Sequence, residues 1–131
     1  MTERGSVGIV VLSLVAVALA LVTATVDIAR VSAALGQAQA ASDAAALAAA
    51  PVTYRPFGAS GSAYDEAVRF AGANGAGVVM CRCRPDPSPE PRTVVVRTEI
   101  VVETMLFGAW SVTATGRAEF DPRRLRDSAL E

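Results

Sequence analysis

Cys81 and Cys83 are separated by a single residue and are the only cysteines in the chain. In an extended strand, residues two apart project on one face roughly 6.5–7 Å apart at Cα, near or beyond the reach of a disulfide. An internal bridge therefore needs a bulge or a strained turn. The alternatives are two buried core thiols, or an intermolecular bridge or redox couple. An exported head would meet oxidising surroundings, in which thiols pair. Two thiols are too few to hold a metal. The chain has no His, which removes the usual general base and the commonest metal ligand. Asp65, Glu66, Glu90, Glu99 and Glu103 offer no carboxylate pair that spacing alone nominates for hydrolysis. GANGAG, 72–77, precedes a strand instead of following one and opening a helix. It reads as a helix stop and not as a phosphate cradle. No nucleophile, base and orienter can be assembled. The expectation is a non-enzymatic chain with no cofactor and no metal.

The remaining polar candidates lie where packing matters more than reactivity. Asp27 and Arg30 are one helical turn apart, just past a long apolar run. They read as an interfacial pair marking a membrane edge or as a partner contact. Asp43 stands in a field of Ala, either solvated or an anchor between subunits. The formal net charge of −1 gives no basic field to attract nucleic acid.

The elements that position these residues begin with the apolar run. Val7 to Val26 contains no charge, and at about 1.5 Å per residue it covers roughly 30 Å, the hydrocarbon thickness of a bilayer. It is too long for the apolar part of a cleaved signal peptide, so a retained anchor fits better. Helical character continues through residues 27–50, with no Pro and one Gly. Ile28, Val31 and Leu35 share one face, widened by Ala38, Ala45, Ala46 and Ala49. A face of Ala lets another backbone approach closely, although Ala is also simply a good helix former.

Pro51 closes that helix, and 51–62 is a Pro- and Gly-containing loop. Ser62 with Asp65 resembles a capping box that opens a short helix. From residue 78 the period changes to two. VVMCRCR, 78–84, places Val79, Cys81 and Cys83 on one side. PDPSPEP, 85–91, cannot be regular structure. Residues 92–104 and 110–120 alternate cleanly, joined by an apolar connection at 105–109. The expected fold is α+β: a long transmembrane helix extended by an Ala-rich half, a short second helix, and a three-stranded antiparallel sheet covered on its apolar face. The expected divisions are a leader or stub at 1–5, the long helix at 6–50, a small head at 51–120 and a charged, frayed tail at 121–131.

The opening ERGSVGIVVLSLVAVALALVTATVDIARV, followed by LGQAQAASDAAALAAA, resembles the TadE/TadG-like proteins of tight-adherence (Flp) pilus systems. The helix ending in AGANGA, the Cys-bearing strand and the Val-rich hairpin look like a small actinobacterial TadE-like subgroup. The resemblance implies a pilin-like α+β fold and a minor pseudopilin or membrane-anchored assembly factor of a pilus or a type II/IV-like secretion apparatus. Its partners would be the membrane, other pilin-like or Tad assembly subunits, and a prepilin peptidase cutting after Gly5 to leave Ser6 as the first residue. It further implies a single-pass protein of the cytoplasmic membrane, with its amino terminus inside and its head outside, able to join a surface pilus. One departure is Val10, which occupies the fifth mature position, where pilins of this class usually carry Glu. That favours an accessory subunit over the fibre-forming one. Two other functions remain open at the level of sequence. One is a secreted binding module released by signal peptidase. The other is a thiol-redox protein using Cys81 and Cys83.

Overall fold

The structure, a computed structural model, describes residues 3–57 and 61–128. Met1 and Thr2 of the expected leader, 58–60 of the loop and 129–131 of the tail lie outside the described residues. Helix α1 runs over Glu3–Val52 without interruption, about 75 Å at 1.5 Å per residue. It starts before Ser6, so that residue is inside the helix and does not cap it. The hydroxyls of Ser13, Thr23 and Thr25 donate back to carbonyls of the preceding turn, which spares them a partner outside the helix. Pro51 falls in the last turn, where its missing N–H costs a single bond. Thr53 then closes the end, its hydroxyl donating to the Ala50 carbonyl at 2.6 Å.

A 3₁₀ turn at Arg55–Phe57 leads toward helix α2, Ala63–Ala73. The Ser62 hydroxyl accepts from the Asp65 N–H at 3.0 Å, which is the expected cap. Three strands follow, β1 at Gly77–Arg82, β2 at Arg92–Thr104 and β3 at Gly108–Phe120. They form one antiparallel sheet in the order β1-β2-β3. The fold is thus α+β, with a long apolar helix, a short helix and a three-stranded antiparallel sheet. Pro122–Ser128, in the expected frayed tail, forms a short helix α3. Arg123 there pairs with Glu90 of the Pro-rich loop.

The register of β2 with β3 is regular from Arg92↔Phe120 to Thr104↔Gly108. Even-numbered residues of both strands therefore share one face. Val94, Val96, Thr98, Val112, Ala114, Gly116 and Ala118 are buried there. The opposite face, with Arg97, Glu103, Ser111, Thr113, Arg117 and Glu119, is exposed. Strand β1 departs from simple alternation. Its register shifts between Val78 and Met80, so Val79 is the extra residue of a bulge. Val78 and Cys81 consequently face the core, while Val79 points to solvent.

Both α1 and α2 cover the apolar sheet face. Ala38, Ala41, Ala45 and Ala49 of α1 are fully buried, at spacings of three and four that make one stripe. Ala63, Ala67 and Ala71 of α2 pack into the same core. The Ala face is therefore closed by the chain's own sheet and second helix. Gly116 is the point of closest approach. A Cβ there would lie 2.3 Å from the Ser42 carbonyl oxygen and 2.6 Å from the Asp43 nitrogen. Nearby, the Thr98 hydroxyl donates to the Ala38 carbonyl at 2.8 Å.

Candidate functional site

Helix α1 changes character at one residue. From Gly5 to Val22 every position is exposed, and this is the part apolar enough to cross a membrane. Asp27, just beyond the apolar run, is 4% exposed. Its carboxylate accepts the backbone N–H of Met105 at 2.8 Å and of Leu106 at 2.9 Å. One turn on, the Arg30 guanidinium donates to the Glu103 carbonyl at 3.4 Å. Asp27 and Arg30 form no direct ion pair; Asp27 goes to the turn that joins β2 and β3, and Arg30 to the end of β2 beside it. The Met105 N–H holds the Asp27 carboxyl below the ordinary carboxylate value, against the cost of burial and with help from the Leu106 N–H and Arg30.

The hairpin turn is built to accept this. The Thr104 hydroxyl accepts from the Phe107 N–H at 3.1 Å and donates to the Gly108 carbonyl at 2.9 Å. Gly108 sits at φ +70°, a left-handed conformation that glycine adopts freely. Once the Thr104 hydroxyl has taken the Phe107 N–H, those of Met105 and Leu106 still point toward α1. Buried donors need acceptors, and Asp27 supplies both. Beside the dock lies an open groove of about 450 Å³, lined by Ala24, Ile28 and Val31 on the helix and Leu106, Phe107 and Trp110 on the hairpin.

The other residues singled out from sequence are spread along the molecule. Gly5, Ser6 and Val10 are exposed on the first turns of α1. Asp43 is exposed, accepting from Gln39 Nε2 at 3.1 and 3.2 Å. Cys81 and Cys83 are joined by a disulfide, with their Cα atoms 5.4 Å apart. That separation is shorter than in a regular strand because β1 ends at Arg82, leaving Cys83 free of strand geometry. Both lie against the core. Among the described residues no three His, Cys, Asp or Glu side chains cluster as metal ligands.

Arg92 was not a candidate from sequence, yet it organises the loop beside the disulfide. Its guanidinium donates to the carbonyls of Asp86, Ser88 and Glu90, and stacks over the Tyr54 ring at 5.5 Å. Asp86 in turn accepts from the Ser88 N–H at 2.8 Å, which, with the Ser88 hydroxyl and the nearby Arg92, lowers its pKa. A Pro-rich loop has few N–H groups of its own, so one multidentate Arg gathering its carbonyls is an effective closure. An Arg at the first position of a strand carries no signal that would single it out.

No curated protein and no solved structure matches the chain. A family model described as "Putative Flp pilus-assembly TadE/G-like" matches residues 5–52. Those bounds take in nearly all of α1, from the exposed apolar half through Asp27 to the buried Ala stripe. Over this helix, on which the whole head is built, the chain is similar to the TadE/G-like proteins of Flp pilus assembly.

Proposed function

We propose that the chain is a minor pseudopilin or membrane-anchored assembly component of a Tad/Flp-type pilus or a type II/IV-like secretion apparatus. Val7–Val26 anchors it, with the amino terminus in the cytoplasm and the head outside. The observation that carries this reading is the coincidence of the TadE/G-like match with a helix whose first half is bare and whose second half is packed into its own head. A bare apolar helix about 30 Å long needs lipid or other apolar helices around it.

Because the Ala stripe is taken up within the chain, contacts with other pilin-like subunits fall to the exposed Val7–Val22 surface. In that surface Val10 replaces the Glu usual in fibre-forming relatives, and a neutral residue there suits an accessory subunit. Processing after Gly5 by a prepilin peptidase would leave Ser6 at the start of the spanning helix.

Intact-mass analysis of the protein isolated from membranes tests the reading. A chain starting at Ser6 supports the pseudopilin, and one starting at Met1 or Thr2 the uncleaved anchor. A start near residues 19–27, in a soluble fraction, would replace both with a secreted module.

A further inference from the structure

We infer that the tip of the β2–β3 hairpin is a second lipid-contacting element, lying in the interfacial layer of the leaflet through which α1 leaves the membrane. The inference rests on the proposed anchoring of Val7–Val26 and adds a site on the head to it. The position of the tip is fixed by α1 itself. Asp27 binds the Met105 and Leu106 N–H groups, and Asp27 is the first residue after the apolar run. The hairpin reaches further still, since Ala24, inside that run, lines the same groove as Leu106, Phe107 and Trp110. The tip therefore stands beside the last turn of the span, at the depth where hydrocarbon gives way to headgroups.

Its composition suits that depth and not water. Met105, Leu106 and Phe107 are 61%, 51% and 73% exposed, and Trp110 is 53% exposed. No charged residue occurs between Glu103 and Arg117. Four large apolar side chains held together on an exposed turn form a patch that soluble surfaces avoid. Trp favours the membrane–water interface, where its ring meets hydrocarbon and its N–H meets headgroups. Arg30 and Glu103 flank the tip on its side away from the span, where headgroup charge and water would meet them. The groove between α1 and the hairpin is walled by Ala24, Ile28, Val31, Leu106, Phe107 and Trp110 and is continuous with the exposed surface of the span. Its occupant is an acyl chain of the same leaflet.

Trp110 is the single Trp of the chain, so its fluorescence reports on this site alone. The full chain is reconstituted in vesicles of phosphatidylethanolamine and phosphatidylglycerol whose acyl chains carry bromine either near the headgroup or near the bilayer midplane. Flotation of the vesicles first tests the anchor. Shallow bromine is expected to quench Trp110 by roughly half and deep bromine much less, as for an interfacial ring, with protection from aqueous acrylamide. Changing Met105, Leu106 and Phe107 together to Ser (M105S/L106S/F107S) should abolish most of the quenching. Flotation and far-UV circular dichroism should stay as in the parent, because all three side chains are exposed. A parent chain that floats while Trp110 stays unquenched by either lipid and open to acrylamide overturns the inference and leaves the anchor standing. Shielding from acrylamide without bromine quenching, lost as lipid is added in excess, assigns the tip to a neighbouring protein subunit and overturns it too. A chain that fails to float overturns the anchor and the inference together.

Discussion

Asp27 does for the hairpin what a capping residue does for a helix: it supplies acceptors to backbone donors that the element cannot satisfy. Its two oxygens serve two N–H groups of one turn, and charge-assisted bonds of this kind are stronger than neutral ones. Replacing Asp27 with Ala should free the tip without unfolding the sheet. The amides of Met105 and Leu106 are then expected to exchange with deuterium at least about tenfold faster, while those of Val94 and Val96 keep their protection. Uniformly faster exchange across β2 and β3 would instead make Asp27 a requirement of the whole fold. The sign of the pH dependence follows from the direction of the shift. The carboxyl titrates below its ordinary value of 3.8, so the dock contributes fully above that value and is lost as pH falls through the lowered one. Hairpin exchange should therefore be insensitive to Asp27 ionisation near neutrality and should rise only in strong acid. Arg30 on α1 is the one charged group that adds to the lowering of the Asp27 carboxyl.

At the scale of elements, the head is held by one long contact, α1 lying across β2 and β3, and small residues set its closeness. Gly116 is where the two backbones meet. A methyl group there would overlap helix backbone, which cannot swing aside as a side chain can. Gly116→Ala should destabilise the head by about 2–4 kcal/mol, toward the upper end of overpacking effects, read as a loss on the order of ten degrees or more in melting temperature in detergent. The equivalent change at Gly36, which has nothing within 4 Å of an added Cβ, should be neutral or slightly stabilising, as expected for Gly to Ala inside a helix. Much of this layout was legible beforehand. The alternation of 92–104 and 110–120, the Ser62 cap and the Ala stripe are local patterns with local causes. The partner of the Ala stripe was not legible. Close approach is written in the small residues, but whether a sheet or another helix approaches depends on chain tracing. The bulge at Val79 was hidden for a similar reason: one unpaired residue in a strand of Val and Met changes no composition. The role of Asp27 was out of reach of spacing arguments, because its partners lie 78 and 79 residues away.

At the scale of the molecule, two halves of one helix follow different physics. Residues 5–22 make no buried contact with the head, every one of them being exposed. The head takes its core from residues 34 onward and its hairpin dock from Asp27. Folding of the head should therefore be separable from insertion of the span. A chain begun at Thr23 keeps the dock, the Ala stripe and Ala24 of the groove, and loses none of the buried residues among those described. Such a chain should remain soluble without detergent and melt within about 4 °C of the full-length protein in detergent micelles, the shift expected when roughly 1 kcal/mol or less is at stake in a domain of this size. Its helix would start close to its first folded contact, so fraying of the new end is the main cost. A fall of much more than this would mean that the span stabilises the head through the helix itself, so that removing the anchor by proteolysis would also unfold the head. Retention of the melting temperature together with loss of vesicle flotation would instead make the molecule a self-sufficient head on a detachable anchor. In that arrangement the hairpin tip, retained in the shortened chain, leaves a weaker affinity for lipid that vanishes when Met105, Leu106 and Phe107 are changed to Ser.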